Sequence, residues 1–253
     1  KKNIFKFQDE NGKVVLNYDN DITRDLAKEV EGKVEFFSSK EKLDDGVILD
    51  DNTIKDCKDG VRKHIINVDE IHLRGLHNYE NICAAIAATS DLVDLNTQVN
   101  AIKEFTGVKH RLEFVKEING VKWYNDSIGT SPSRTIAGLN SFDEKIVLIA
   151  GGYDKQLDYK PLVKPILDKV SKLILMGDTA SKIYKAVMEE TERLEIVFPV
   201  YKCTSLEAAV TRAKNVAKPG EIVLFSPASA SFDMFKNFEE RGDKFKELVN
   251  KLN

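Results

Sequence analysis

Ile222-Val-Leu-Phe225 leads directly into Ser226-Pro-Ala-Ser-Ala-Ser-Phe-Asp-Met-Phe-Lys-Asn-Phe-Glu-Glu-Arg-Gly-Asp-Lys-Phe245, and this order of residue types decides the fold. The first four residues are an apolar run typical of a buried strand, and a helical pattern extends from Phe235 to Leu252. A loop of small and hydroxyl-bearing residues separates them. In open α/β sheets, ligands bind where such loops leave the carboxyl ends of strands, and the free N–H groups at the next helix start favour an anion.

The same alternation of strand and helix fills the second half of the chain. It begins with a hairpin, because the apolar runs 112–118 and 121–125 flank Asn119-Gly120, a strong two-residue turn signal. We then predict further strands at 145–150, 172–176 and 196–200, and helices at 159–170, 180–190 and 206–216. Ser131 is the predicted cap of an earlier helix that has Pro132 at its first position. Short connections between strands and helices indicate an α/β fold with a parallel sheet that is doubly wound and covered on both faces.

The first half has a different pattern. We predict strands at 14–17 and 34–37, a helix at 22–31 that is capped by Asp21, and antiparallel strands between residues 44 and 73. A loop at 75–78 then precedes helices at 81–92 and 96–105, and Gly107 is the predicted C-terminal cap of the second helix. Because the pattern restarts after this point, we place a domain boundary between residues 108 and 109.

The composition excludes several classes of protein. The chain has 253 residues, a net charge of −3 and an isoelectric point of about 5.9, so charge indicates neither a nucleic-acid nor a membrane partner. The three cysteines, Cys57, Cys83 and Cys203, match no metal-ligand spacing, and we expect free thiols. There is no apolar run of eighteen residues and no signal peptide, so we expect the protein to lie in the cytoplasm. We also expect a monomer whose partners are small molecules.

Two motifs have side chains that are suited to binding a nucleotide; one lies in the first half of the chain and the other at the domain boundary. Asn78 and Asn81 are three residues apart at a predicted helix start, where their amides can donate to and accept from the edge of an adenine ring. The alternative for Asn78 is a capping role. At the boundary, the guanidinium of Arg111 can bind a phosphate in bidentate fashion, whereas the neighbouring His110 has a structural alternative.

Two loops of the second half suit anionic groups. Asp126 ends a predicted strand and can hold Mg²⁺ or a nucleotide group, and Thr130 and Ser131 follow it at a helix start. After the next strand, Gly151-Gly152 lets a ligand approach the backbone, and Lys155 supplies a cation. The alternatives are a plain capping loop and a solvent-exposed turn lysine.

The chain contains no phosphate-binding P-loop. No GxxxxGK[ST] sequence occurs; the Gly-Lys pair at Gly12-Lys13, for example, is followed by Val14 and lacks the earlier glycine. We therefore expect the chain by itself to be inactive as an ATPase.

Taken together, the motifs resemble those of the Mur ligase family, particularly the members that add D-glutamate. The matching segments occur in the family's order and cover essentially the whole chain; they are residues 17–19, 77–81, 106–111, 123–127, 151–155 and 226–242. The resemblance implies that residues 1–108 are the end of a P-loop-type central ATPase domain. It implies that residues 109–253 are a Rossmann-like, doubly wound C-terminal ligase domain. The family's UDP-sugar-binding domain and P-loop would lie upstream, so we expect a fragment of a longer protein.

The family uses ATP and Mg²⁺ to activate a carboxylate as an acyl phosphate, which an amino acid attacks to form an amide in peptidoglycan precursor synthesis. The implied substrates are UDP-N-acetylmuramoyl-L-alanine and D-glutamate. By resemblance, Asn78 and Asn81 contact adenine, Arg111 binds the phosphates, and Asp126 serves the nucleotide and catalysis. The same resemblance assigns D-glutamate binding to a group of four residues: Thr130, Lys155, Ser231 and Phe238.

Two further positions bear on the resemblance, one at the start of the chain and one after Asp126. The family carries a carbamylated lysine near magnesium, for which Lys1 is the best match and Lys2 the next. Some members have a lysine two residues after the aspartate, where this chain has Ile128, so one phosphate contact is lost or supplied elsewhere. Other Mur-type ligases, a folylpolyglutamate-type ligase and a non-catalytic nucleotide-binding module remain the alternative functions.

Overall fold

The structure, a computed structural model, describes residues 2–253. The chain divides into two compact units, the first ending at Thr106 and the second spanning Gly107–Asn253. The predicted boundary lies two residues further along the chain. Each unit has its own sheet and its own apolar core.

The first unit is built on a five-stranded sheet in the order β1-β2-β3-β4-β5. Its elements are β1 (Lys13–Asn17), α1 (Asp21–Leu26), β2 (Lys33–Ser38), β3 (Gly46–Asp50), β4 (Thr53–Lys58), β5 (Val61–Asn67), α2 (Leu76–Thr89) and α3 (Leu95–Glu104). The first three strands are parallel, and β3, β4 and β5 form an antiparallel meander. This confirms the predicted antiparallel set between residues 44 and 73.

One face of this sheet is covered by α2. Ile82, Cys83 and Ile86 of the helix pack against the buried side chains of Val47 and Ile54 on the strands. The spacing of these helical residues is that of one apolar face, so α2 is amphipathic although its sequence is rich in alanine.

The starts of two helices in this unit, α1 and α2, differ from the prediction. Asn20, not Asp21, caps α1, because its side-chain oxygen accepts hydrogen bonds from the N–H groups of Ile22 and Thr23 at 3.1 and 3.2 Å. The predicted loop at 75–78 is wrong, since α2 already begins at Leu76. Gly75 makes this early start possible, because its φ of 95° is a conformation that favours glycine.

The predicted cap at Gly107 is also wrong. Helix α3 ends at Glu104, and its C-terminal cap is Phe105, whose N–H donates to the carbonyl of Ala101. Gly107 has a φ of 109°, so the glycine serves a turn beyond the helix end.

The second unit is built on a six-stranded sheet in the order β10-β9-β8-β11-β7-β6. Its elements are β6 (Glu113–Ile118), β7 (Val121–Asn125), α4 (Pro132–Leu139), β8 (Ile146–Ala150), α5 (Lys160–Lys169), β9 (Val170–Leu175), α6 (Ala180–Arg193), β10 (Val200–Lys202), α7 (Leu206–Val216), β11 (Ile222–Phe225) and α8 (Phe238–Asn250). All neighbours are parallel except the edge strand β6, which pairs antiparallel with β7. The predicted doubly wound parallel sheet is confirmed.

Strand β8 shows why both faces of this sheet are covered. Ile146 and Leu148 pack with the buried residues of α4, α5 and α6, whereas Val147 and Ile149 pack with those of α7 and α8. Successive side chains of a strand point to opposite faces, so an uninterrupted apolar run requires helices on both sides. Among residues 2–253, no helix combines the length and apolar character needed to cross a membrane.

The hairpin prediction for β6 and β7 is confirmed, and Asn119 and Gly120 adopt φ values of 52° and 76° at its turn. The predicted strand at 196–200 is shifted, since β10 covers Val200–Lys202. Ile196 instead donates its N–H to the carbonyl of Thr191 in the last turn of helix α6, so residue 196 belongs to the turn that follows this helix. Helix α8 begins only at Phe238, because Asn237 caps it.

The second unit contains two apolar clusters of its own, so we expect residues 107–253 to fold without the first unit. A protein fragment of these residues should unfold in one cooperative thermal transition. Circular dichroism in the near- and far-ultraviolet measures this. A fragment that keeps far-ultraviolet signal without near-ultraviolet signal would contradict the prediction.

Candidate active site

Four loops of the second unit leave the same edge of its sheet. They follow the carboxyl ends of the parallel strands β7, β8, β9 and β11, and their ranges are 126–131, 151–159, 176–179 and 226–237. All the residues predicted to bind D-glutamate lie on these loops or at the start of α8. The fold therefore brings together residues that are up to about a hundred positions apart in the sequence.

Asp126 is a buried carboxylate at the end of β7. Its Oδ2 accepts a hydrogen bond from the Ser226 hydroxyl at 2.6 Å, and its Oδ1 accepts one from the N–H of Leu112 at 3.3 Å. Burial raises the pKa of Asp126 to about 6, although these hydrogen bonds and two nearby arginines act in the opposite direction. A Cβ on Gly129 would lie 2.7 Å from both Asp126 Oδ2 and Ser226 Oγ, so this loop position requires glycine.

Arg111 and Arg134 are those two arginines. Neither side chain makes a hydrogen bond or ion pair with any other residue in the range 2–253, yet both place positive charge near Asp126. Arg111 is held between His110 and Leu112, whose φ values of 65° and 44° are unusual for residues with side chains. Two free guanidiniums beside one loop suit a phosphate or carboxylate. The sequence reading missed Arg134, although its place three positions after the capping Ser131 puts it in the first turn of α4.

His110 has a structural role. Its ring is buried, and its Nδ1 lies 3.1 Å from the side-chain Nδ2 of Asn125. The Phe238 ring packs edge-on against it, with ring centroids 6.0 Å apart. A Cβ on Gly242 would lie 2.2 Å from His110 Nδ1, so α8 can approach the imidazole only because Gly242 lacks a side chain. The contact brings Phe238 close to the loop that carries Thr130, since the Ser127 hydroxyl also donates to the Phe238 carbonyl at 2.7 Å.

Arg241 joins two of the loops from inside the protein. Its guanidinium is fully buried and donates to the carbonyls of Ser127, Ser229 and Ala230 at 2.9, 3.1 and 2.9 Å, and to the Ser127 hydroxyl at 3.1 Å. Burial lowers the pKa of Arg241 to about 10, and the charge of Asp233 partly offsets this effect. No site role was predicted for Arg241, although it lies within the stretch that decided the fold.

A second buried network surrounds Ser229. Its hydroxyl lies 2.8 Å from the Tyr159 hydroxyl and 2.9 Å from that of Thr179. The Thr179 hydroxyl in turn accepts the N–H of Gly152 at 3.0 Å. This network joins the loops after β8, β9 and β11, and no part of it was predicted.

Lys155 lies on the exposed side of these loops. Its Nζ is 5.3 Å from the centroid of the Phe232 ring, and it makes no ion pair with any residue from 2 to 253. The Tyr153 ring packs edge-on against Phe232, with centroids 5.9 Å apart. Ser231, next to Phe232, is almost fully buried, whereas Thr130 is partly exposed. The aromatic pair was not predicted, although both residues adjoin predicted site positions.

The first unit holds the two predicted adenine contacts on helix α2. Asn81 is exposed, but Asn78 is buried and its amide nitrogen donates to the carbonyl of Arg74 at 2.6 Å. The amide of Asn81 is therefore the freer of the two. Lys1, the predicted carbamylated residue, lies outside the described residues, and its alternative Lys2 forms an exposed ion pair with Glu29.

The ends of β1 and β2 hold a polar cluster that the sequence reading missed. Asp19 accepts hydrogen bonds from the Ser38 hydroxyl and from the N–H of Ser39. The single hydroxyl proton of Ser39 is shared between Asp19 Oδ2 and Glu80 Oε1, which lie 3.1 and 2.7 Å from its oxygen. Burial raises the pKa of Asp19, but these hydrogen bonds outweigh it, so the pKa lies below its usual value. The 17–19 motif therefore ends its strand in a carboxylate that is already saturated with donors.

The described residues contain no ready metal centre. In the range 2–253, no three His, Cys, Asp or Glu side chains are placed to hold one ion. Asp126 is the sole predicted candidate, and both of its oxygens are engaged by donors.

Known protein families and relatives with similar sequences agree with this architecture. Residues 1–89 match the Mur ligase middle domain, and residues 110–229 match the domain described as Mur ligase, glutamate ligase domain. The chain is 52% identical over 254 residues to a UDP-N-acetylmuramoylalanine–D-glutamate ligase of Acetivibrio thermocellus, and 46% identical over 252 residues to one of Clostridium novyi. Each match covers 100% of this chain and 54% of the relative.

Solved structures share the fold. A UDP-N-acetylmuramoylalanyl-D-glutamyl-2,6-diaminopimelate–D-alanyl-D-alanyl ligase from Acinetobacter baumannii superposes with a TM-score of 0.69 over 99% of this chain and 54% of its own, at 15% identity. A MurF ligase from Thermotoga maritima, solved in complex with ADP, has a TM-score of 0.61 over 98% of this chain and 56% of its own, at 19% identity. The chain belongs to the Mur ligase family, and it spans its middle and C-terminal domains.

The Arg241 clamp can be tested by Arg241→Lys. Lysine cannot reach all three carbonyls at once, so at least one buried acceptor should lose its partner. We expect a loss of roughly 2–4 kcal/mol in the free energy of unfolding. Urea unfolding of the 107–253 fragment measures it, with Arg212→Lys on exposed helix α7 as the control, where the loss should stay below about 0.5 kcal/mol. Equal losses in both variants would contradict the clamp.

The buried carboxylate of Asp126 predicts a pH dependence. Its folded-state pKa of about 6 exceeds the usual value of 3.8, so the folded protein binds a proton between these values that the unfolded chain releases. Stability should therefore fall as pH rises from about 4 to about 6, by up to about 3 kcal/mol from this group. Relative to wild type, Asp126→Asn should gain stability across this window and show a constant difference above about pH 7. Parallel pH profiles of the two proteins would be the contrary result.

Proposed function

We propose that this chain forms the middle and C-terminal part of an ATP-dependent ligase that adds D-glutamate to UDP-N-acetylmuramoyl-L-alanine. The observation that carries the proposal is the 52% identity, extending over the whole chain, to a relative with that name. The chain spans 54% of that relative's length, so the proposal includes a preceding segment that supplies the P-loop.

The site supports a reaction between anionic groups. Among residues 2–253, Arg111 and Arg134 are cations without an ion-pair partner near Asp126, and Lys155 is one over the ring of Phe232, the residue after Ser231. ATP supplies the phosphoryl group that turns the substrate carboxylate into an acyl phosphate. In this proposal, Arg111 and Arg134 bind phosphate oxygens, where preorganised positive charge stabilises the charge that develops during phosphoryl transfer.

The amino-acid substrate has two carboxylates. We assign one of them to the ammonium of Lys155, with Thr130 and Ser231 as hydroxyl donors and Phe238 as an apolar wall. We assign the adenine ring to hydrogen bonds with Asn81 and Asn78 of helix α2. The amide nitrogen of Asn78 already donates to the Arg74 carbonyl, so Asn78 has fewer hydrogen bonds to offer. Magnesium belongs to this proposal as the counter-ion of ATP, but no step is assigned to it, because the described residues do not form a metal site.

The role of Asp126 is electrostatic. Its negative charge lies beside two guanidiniums and is held in place by Ser226. In this proposal Asp126 orients these cations on the nucleotide side of the loop, and through them it serves both the nucleotide and catalysis. The proposed setting is a monomeric enzyme of the cytoplasm that acts in peptidoglycan precursor synthesis.

The proposal is tested by ADP release from the complete ligase with UDP-N-acetylmuramoyl-L-alanine and a panel of amino acids. D-Glutamate should support turnover, and L-glutamate, diaminopimelate and D-alanine should not. Turnover with another amino acid would favour a different Mur-type or folylpolyglutamate-type ligase. No ADP release with any of them would favour a non-catalytic nucleotide-binding module.

Replacing Lys155 with alanine should weaken D-glutamate binding selectively. A charge-assisted hydrogen bond to a carboxylate contributes about 1.5–3 kcal/mol, which corresponds to roughly a ten- to hundredfold higher KM for D-glutamate. The KM for ATP should change less than about threefold. Lys214→Ala, on the exposed side of α7, is the matched control and should leave both constants unchanged. An unaltered KM for D-glutamate in Lys155→Ala would remove Lys155 from the site.

A further inference from the structure

The ammonium of Lys155 lies over an aromatic ring and forms no ion pair with any residue from 2 to 253. Its Nζ is 5.3 Å from the centroid of Phe232, within the range of a cation–π interaction. The neighbouring carboxylate, Asp154, is not available to it, because Asp154 is paired with Lys182. Within residues 2–253, Phe232 is therefore the group that holds the position of this cation.

The ring itself is held by a second aromatic side chain. Tyr153 packs edge-on against Phe232 at 5.9 Å, in the arrangement that aromatic pairs prefer. Both rings remain open to solvent, since Phe232 is 58% exposed and Tyr153 is 40% exposed. Exposing two aromatic rings to water is unfavourable, and here one of these rings lies under the ammonium of a lysine.

The backbone around Phe232 is fixed on both sides. Two residues before it, the carbonyl of Ala230 accepts the N–H of Tyr153 at 2.9 Å, which joins the two loops that carry the rings. One residue after it, the Asp233 carboxylate accepts the N–H of Asp178 at 3.3 Å. A Cβ on Gly177 would lie 2.3 Å from Asp233 Oδ2, so Gly177 is what allows this contact. The ring is thus presented by a rigid segment.

We propose that Phe232 is a positioning residue for the amino-acid substrate, because its ring holds the Lys155 ammonium in place before the substrate carboxylate arrives. This inference rests on the proposed function and deepens it. A free lysine side chain loses rotamer freedom when it binds a ligand, and a side chain that is already positioned loses less. Tyr153 supports the ring, and the open side of the ammonium remains for the carboxylate.

The positioning can be observed without substrate. Reductive ¹³C-dimethylation of the lysines in the 253-residue chain keeps their charge, and the Lys155 resonance is assigned by its loss in Lys155→Arg. Because the ammonium lies over a ring, its methyl signals should be shifted upfield. Phe232→Leu should abolish this shift, and Phe232→Tyr, which keeps a ring, should restore it. Lys202, whose Nζ lies 3.9 Å from the Tyr184 centroid, is the internal control and should not respond to either variant.

Kinetics of the complete ligase then test the consequence for the substrate. Phe232→Leu should raise the KM for D-glutamate roughly two- to fivefold, the range expected for an exposed cation–π contact, without changing kcat or the KM for ATP. Phe232→Tyr should restore the KM. In a Lys155→Ala background, Phe232→Leu should have less than about a 1.5-fold effect, because the cation that the ring positions is gone.

The outcomes separate this inference from the proposed function. Turnover with D-glutamate together with an unchanged KM in Phe232→Leu would overturn the positioning role and leave the function intact. A Lys155 signal without an upfield shift would overturn it at its structural basis. A ring-shifted signal that D-glutamate does not perturb, in a ligase that does not consume D-glutamate, would overturn the proposed function, and with it the substrate-directed part of the inference.

Discussion

The guanidinium of Arg241 lies fully buried between the loops that follow β7 and β11, and four hydrogen bonds tie it to Ser127, Ser229 and Ala230. Among residues 2–253, no carboxylate forms a hydrogen bond with it. A buried charge of this kind is costly unless its donors are satisfied, and carbonyl dipoles from two separate loops satisfy them here. The arrangement forms only when both loops take their observed positions. Arg241 therefore couples the loop that carries Thr130 to the loop that carries Ser231.

Two sets of polar groups can be distinguished around the site loops of the second unit. Three buried groups have partners inside the protein: Arg241 with carbonyls, Asp126 with Ser226, and Ser229 with Tyr159 and Thr179. Three cations near these loops, Arg111, Arg134 and Lys155, have no anionic hydrogen-bond partner among residues 2–253. Satisfied groups hold the scaffold, and unsatisfied cations remain for a ligand that brings its own negative charge.

Glycine is required where these loops approach one another most closely. Gly152 has a φ of 153°, and a Cβ there would lie 2.3 Å from the Ala230 carbonyl oxygen. That same carbonyl accepts hydrogen bonds from Tyr153 and from Arg241, so it is a shared acceptor for the loop after β8 and for helix α8. A side chain at Gly152 would displace this acceptor, and with it the segment that presents Phe232. The Gly151-Gly152 pair was predicted to let a ligand approach the backbone, but Gly152 serves the approach of another loop.

Much of the architecture could be predicted from local pattern. The apolar runs of β8 and β11 indicated strands buried on both faces, Asn119-Gly120 indicated a hairpin, and Ser131-Pro132 indicated a helix start. The site loops were located because polar residues followed these strands. The errors at Asp21, Gly107 and the 75–78 loop arose where a neighbouring residue, such as Asn20 or Gly75, met the same local requirement one or more positions away.

The sequence by itself determined the order of strands and helices, the doubly wound class of the second unit and the loops where its chemistry lies, because periodicity and turn residues act over a few positions. Only the tertiary structure decided which side chains of those loops are partners. It showed that Arg241 is a buried clamp and that Asn78 is already engaged. It also placed Arg134 beside Asp126 and put Lys155 over Phe232. The contacts of Arg241 with Ser127 and of Lys155 with Phe232 join residues that lie far apart in the chain. They depend on strand order and loop packing, which local sequence patterns do not encode.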